Sequence, residues 1–237
     1  MQFDESLHTE SLVYSSPRMF ERRQRVMEVT RELIAECGHD GFNMRELCRR
    51  AKVAPQTVYK AFESKERLVA LSIRQNFQLQ AERLAYHYEA ESIEGVVERL
   101  VVSDRNIRAV KAYAVGIVSI FFSQTADTDL RVAASYHITS TLQPWLNTLR
   151  QQGCIRRGVL SESLCDAMVS LLFGVALEWA RGVVDDEEFL FSKLECLFAY
   201  ACGATRGKGQ KEISRYLTDL LNRKELVSAI ITQVDAG

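Results

Sequence analysis

Only three prolines and twelve glycines interrupt 237 residues, and no segment alternates apolar with polar side chains as a half-buried strand would. Apolar residues recur at three- and four-residue spacing instead, which predicts an all-α chain. Its length and 47 % apolar content are enough for a sizeable core. The chain also lacks a basic start followed by an apolar run. Residues 1–17, MQFDESLHTESLVYSSP, are polar and acidic, which excludes a secretory signal and predicts a flexible N-terminal arm. The most apolar stretch, Ala109 to Phe122, is broken by Lys111 and falls short of the roughly 20 residues a bilayer requires. A cytoplasmic protein with no membrane partner is expected.

Catalytic signatures are missing as well. There is no G-x-S-x-G, H-E-x-x-H, glycine-rich phosphate loop or repeated helical Glu-x-x-His, so neither an enzyme nor a cofactor is expected. Cys37, Cys48, Cys154, Cys165, Cys196 and Cys202 form no C-x-x-C pair, and none has a histidine at metal-ligand spacing. No metal site is implied, and these thiols read as small core residues. A redox pair of Cys37 and Cys48 is the alternative.

What is present is an uneven charge. Residues 18–74 carry thirteen Lys and Arg against eight acids, and the remainder carries seventeen against twenty-three. A basic head on an acidic body points to a polyanionic partner for the head.

Within that head, Arg18 to Cys37 is the first long helical pattern, with Phe20, Val26, Val29, Leu33 and Ile34 as its apolar stripe. Gly38 is its natural stop. Asn43 stands three residues before Glu46 and predicts a reciprocal capping box at the start of a short helix, Met44 to Ala51. Lys52-Val53-Ala54 is the turn, and Pro55 opens a third helix to Phe62. There Val58, Ala61 and Phe62 are expected to pack inward while Gln56, Thr57, Tyr59 and Lys60 project outward. Two helices joined by so tight a turn, the second presenting amide, hydroxyl, phenol and ammonium groups, suit a DNA major groove.

The run Gly38-His39-Asp40-Gly41-Phe42-Asn43-Met44-Arg45-Glu46-Leu47-Cys48, followed by Val53 to Phe62 and Ser64-Lys65-Glu66-Arg67-Leu68, resembles the tetracycline-repressor (TetR) family. Lys52 and Gln56 stand where that family commonly has glycine, and Ala61 where it has an aromatic residue or histidine. The resemblance implies a DNA-binding regulator, most often a repressor released from its operator by a small molecule. It makes Gln56, Thr57, Tyr59 and Lys60 groove-facing, with Tyr59 on the phosphate backbone, Lys65 on phosphate at the next helix, and Arg45 reaching DNA from the second helix. The alternative is a DNA-binding protein of the same fold that answers to a protein partner, or is constitutive.

The domain division read from the chain is 18–63 for the helix-turn-helix, 64–206 for an effector-binding and dimerisation body, and 207–237 for a linker and an extra helix. A fourth helix is expected to run to about Glu91, a fifth from Ser92 to Ser103, then Arg105 to Ser123, Asp129 to Gln152, Glu162 to Arg181 and Glu187 to Ala204. Beyond Gly207-Lys208-Gly209, a single helix is expected over Lys211 to Val234. Leu164, Met168, Leu171, Leu172 and Val175, with Leu194, Leu197, Phe198 and Ala201, form apolar faces. By resemblance these faces meet a second copy in a homodimer, which a near-palindromic duplex operator also favours. The resemblance further implies a cavity for a small apolar or aromatic effector, for which Tyr113, Phe121, Tyr136 and His137 are candidates, along with Trp145, Phe173, Glu178 and Trp179.

Overall fold

A computed structural model describes residues 17–81, 84–222 and 225–236. The predicted arm lies outside the described residues, apart from Pro17, which opens the first helix. The described residues form α1 (Pro17–Cys37), α2 (Met44–Ala51), α3 (Pro55–Phe62), α4 (Lys65–Ala81), α5 (Ile93–Ala109), α6 (Lys111–Phe122), α7 (Thr128–Gln151), α8 (Ser161–Ala180), α9 (Glu188–Ala204), α10 (Gly207–Leu221) and α11 (Glu225–Ala236). Among the described residues, extended pairing is confined to one antiparallel bridge between Ile155 and Thr205. The fold is all-α, a helix-turn-helix head on a helical body.

Helix starts follow local capping chemistry. The Asn43 side chain accepts the Arg45 N–H at 2.8 Å, Ser64 Oγ accepts the Arg67 N–H at 3.0 Å and Ser92 Oγ accepts the Gly95 N–H at 2.9 Å. The expected capping box is not formed. The Glu46 carboxylate turns to Arg49 at 2.6 Å and Arg50 at 2.6 Å, because two guanidinium groups outbid a neutral amide.

Helix ends depart further from expectation, and each departure has a cause distant in sequence. α4 does not reach Glu91. The buried Glu98 carboxylate on α5 accepts the backbone N–H of His87 at 2.9 Å and of Tyr88 at 3.0 Å, which holds that segment in a non-helical loop. The region expected as one helix from Arg105 to Ser123 breaks at Val110, whose φ of −126° and ψ of 43° are not helical. The C-terminal helix is likewise two: Asn222 closes α10, and buried Asp219 accepts the Val227 N–H of α11 at 3.2 Å. Gly207 to Gly209, expected as a linker, is the first turn of α10. A Cβ at Gly209 would lie 2.8 Å from the Cys154 Cβ, so glycine lets this turn sit on the end of α7.

α11 packs on α5 and closes the body. Arg105 reinforces the contact by donating to the Val234 carbonyl at 2.9 Å, at the C-terminal end of α11. Residues 163–180 of α8 are long and apolar enough to cross a membrane by composition, but Leu164, Met168, Leu172, Phe173 and Trp179 are buried in the bundle.

Candidate nucleic-acid interface and effector cavity

The head is built on a core of Val26, Leu33, Ile34, Leu47, Val58 and Phe62, all nearly inaccessible. Phe20, expected in that stripe, is 44 % exposed near the start of α1. On α3, Val58 and Phe62 are one turn apart and point inward. Ala61 is exposed, correcting the inward expectation, because it sits about 80° around the helix from their shared direction. Gln56, Tyr59 and Lys60 are exposed, Tyr59 at 49 %, and Thr57 is partly exposed. Arg45 on α2 is exposed as well.

The turn before α3 depends on Lys52, which is left-handed at φ 54° and ψ 48° and donates its N–H back to the Arg49 and Cys48 carbonyls. Glycine would hold this conformation without steric cost. Lys65 is partly buried at the N-terminus of α4. Its ammonium donates to the His39 carbonyl at 3.3 Å and lies 5.6 Å from the Phe42 ring centre. It therefore ties α4 to the α1–α2 loop. Glu36 joins Arg50 at 2.6 Å, so one ion network locks α2 onto α1. Hydrogen bonds from Arg49 and Arg50 hold the Glu46 carboxyl down at about 2. Burial pushes the Cys48 thiol up, opposite to the activation a redox pair would need.

In the body, α4 to α8 line a partly open cavity of about 80 Å³. Of the eight candidates, Tyr113, His137, Phe173 and Trp179 line it together. The others lie outside the lining. Phe121 stacks on Phe173 at 3.9 Å, Tyr136 sits under Arg74 at 5.1 Å, Trp145 is core at 3 % exposure, and Glu178 pairs with Arg181 at 3.3 Å. Sequence reasoning missed Asn76, Phe77 and Gln80 of α4 and Ser103 and Asn106 of α5. Polar residues three or four apart on helices otherwise facing a core were the available signal.

Within the cavity wall, His137 stacks on Phe77 at 5.0 Å, and burial aided by nearby Lys193 lowers its imidazole to about 4. The Trp179 indole donates to Asp186 at 2.7 Å, and Lys111 pairs with the same carboxylate oxygen at 3.1 Å. α6 also touches the head. A Cβ on Gly116 would lie 2.7 Å from Ile34 Cγ2 and 2.8 Å from the Ile34 carbonyl oxygen of α1.

Residues 26–71, from within α1 to within α4, match the family described as bacterial regulatory proteins, tetR family. The match to the TetR family is confined to these residues. No curated protein matches the sequence. Among solved structures, a TetR transcriptional regulator from a Rhodococcus species is 22 % identical with a TM-score of 0.52, covering 76 % of this chain and 97 % of its own. A TetR transcription regulator from Haloarcula marismortui is 11 % identical with a TM-score of 0.57, covering 79 % and 100 %. SmeT, the repressor of the Stenotrophomonas maltophilia multidrug efflux pump SmeDEF, is 14 % identical with a TM-score of 0.55, covering 79 % and 92 %. At such identities the likeness carries the fold alone.

Most of the residues read as the dimer face lie inside the chain. Leu164, Met168, Leu172, Leu194, Leu197, Phe198 and Ala201 are already buried within the single chain, so they are core. Leu171 is 36 % exposed and Val175 partly so. The outward face of α8 and α9 carries mostly small or polar groups beside Leu171, among them Ser163, Ser170, Ala199 and Tyr200. Gly174 and Gly203 also belong to these helices, and a Cβ added to either meets nothing within 4 Å.

Proposed function

We propose that this chain is a dimeric, sequence-specific reader of a near-palindromic operator, acting as a repressor that a small apolar or aromatic molecule releases. The observation that carries the reading is α3, whose Val58 and Phe62 are buried while Gln56, Tyr59 and Lys60 stand exposed on the same two turns. Gln56 can bond adenine bidentately, worth about 1–3 kcal/mol of discrimination that glycine could not supply. Tyr59 and Lys65 are assigned to phosphates and Arg45 to a DNA contact from α2, with Thr57 and Lys60 at the groove. One such helix offers too few base contacts for useful specificity, and two-fold pairing doubles them at half-sites roughly 34–36 Å apart, or a multiple of that.

The outward face of α8 and α9 is assigned to the partner copy. Glycine at 174 and 203 answers no crowding inside the chain, which supports close approach by something outside it.

The cavity supports the effector half. At about 80 Å³ it is well below the roughly 300–1,000 Å³ of ligand pockets, so a ring-bearing molecule must prefer a body whose walls have moved apart. That preference is the differential affinity on which a population shift depends. α6 forms part of the wall and rests on Ile34 through Gly116, so its displacement would reach the head. The same small volume favours the second reading, a regulator answering to a protein partner or to nothing.

Selection of bound duplexes from a random DNA pool tests the operator reading. Enrichment of a near-palindrome is the expected outcome, and no enrichment refutes it. Release of the enriched duplex by a cavity-filling molecule separates the effector reading from its rival.

A further inference from the structure

The group in the cavity wall that the fold leaves unexplained is the Tyr113 hydroxyl. Tyr113 is only 8 % exposed, and among the described residues its Oη has no hydrogen-bond partner. Buried hydroxyls in folded chains nearly always have a partner. Desolvation raises this phenol above its ordinary range, so it keeps its proton and remains a donor.

The rest of the lining narrows what could accept that proton. No Asp, Glu, Lys or Arg lines the cavity among the described residues. Of the charges behind it, Asp104 lies 3.2 Å from Lys193 and 2.7 Å from Arg108, and Arg31, near enough to Tyr113 to act on its phenol, is outside the lining and donates to Gln75 at 3.5 Å. His137 is held neutral by burial. A ligand carboxylate would meet no cation on this wall, and a ligand ammonium no carboxylate. The uncharged surface that remains is mostly apolar, with Phe77, Ile117, Val118 and Phe173 among it.

We infer that the cavity takes an uncharged, predominantly apolar molecule bearing one hydrogen-bond acceptor, a carbonyl or ether oxygen, that receives the Tyr113 hydroxyl. This rests on the reading of the cavity as an effector site. The Asn76, Gln80 and Asn106 amides are only partly buried and can keep solvent partners, whereas Tyr113 cannot.

Acetophenone, ethylbenzene, benzoate and benzylamine share a ring and differ in the substituent, so they test the assignment on the full chain. Binding is followed by tryptophan fluorescence, to which Trp179 contributes from the cavity wall, and by the rise in Tm. Acetophenone is expected to bind about tenfold more tightly than ethylbenzene, the worth of one net hydrogen bond, and neither charged compound to bind at pH 7.5. Tyr113→Phe should bring acetophenone to the ethylbenzene level and leave ethylbenzene unchanged. It should also raise the Tm of the unliganded protein, which shows that the variant folds. Equal binding of acetophenone and ethylbenzene with no response to Tyr113→Phe overturns the inference and leaves the cavity reading intact. Tighter binding of benzoate or benzylamine overturns it in the same way. Failure of all four to bind overturns both.

Discussion

Single residues decide how well the head is made and how the body responds to acid. Lys52 holds a left-handed conformation that costs a side-chain-bearing residue on the order of 1 kcal/mol. Lys52→Gly should therefore stabilise the fold by up to about 1 kcal/mol in urea unfolding. A loss of stability would mean that the lysine side chain compensates elsewhere. His137 takes up its proton at about 4 in the folded chain instead of 6.5, so the unfolded chain binds it first as pH falls. Stability conferred by the neutral ring is complete above 6.5 and is lost as pH falls from about 6.5 to 4, by up to roughly 1.4 kcal/mol per pH unit. His137→Gln should flatten that part of the Tm–pH profile, and an unchanged slope would remove His137 as its source. The outward set on α3 was legible at this scale, since Val58 and Phe62 fix the inward direction by helical geometry alone. Ala61 and Phe20 were not, because a small or terminal apolar residue at the edge of a face can go either way.

At the scale of helices, the contact of α6 with α1 connects the cavity to the head. A methyl at position 116 would have to displace Ile34 and its carbonyl. Gly116→Ala should destabilise the chain by about 1–3 kcal/mol, as overpacking does. By pushing α6 off α1, it should also weaken DNA binding without any effector. Destabilisation with undiminished DNA affinity would separate this contact from signalling. Helix starts could be read because Asn43, Ser64 and Ser92 cap amides only two or three residues further on. Helix ends were misread wherever a distant group ends them, as Glu98 does for the segment after α4 and Asp219 does between α10 and α11. Nothing in local periodicity announces such a partner. The same applies to the cavity, whose walls from α4 and α5 become neighbours only in three dimensions.

For the whole molecule, the question is which apolar surface lies inside and which meets a copy. Composition marks α8 and α9 as apolar but cannot divide their faces between core and partner, and so Leu164, Met168 and Leu197 were read as interface although they are core. Leu171 is exposed on the remaining face. Leu171→Glu should shift the protein from dimer to monomer in sedimentation, lower operator affinity at least tenfold, and leave Tm within a few degrees. A monomeric wild type, or an unaffected dimer, would place the contact elsewhere. Because residues 18–74 are basic and the remainder acidic, the head is expected to lead the approach to a polyanion, with affinity falling steeply as salt rises. The decisive measurement is the affinity of the enriched duplex, and of a scrambled one, for wild type, Tyr59→Ala and Gln56→Ala at two salt concentrations. If α3 reads the operator, Tyr59→Ala weakens both duplexes, while Gln56→Ala narrows the gap between them by about 1–3 kcal/mol. Affinities indifferent to both substitutions would contradict the assignment of α3 as the DNA-reading surface.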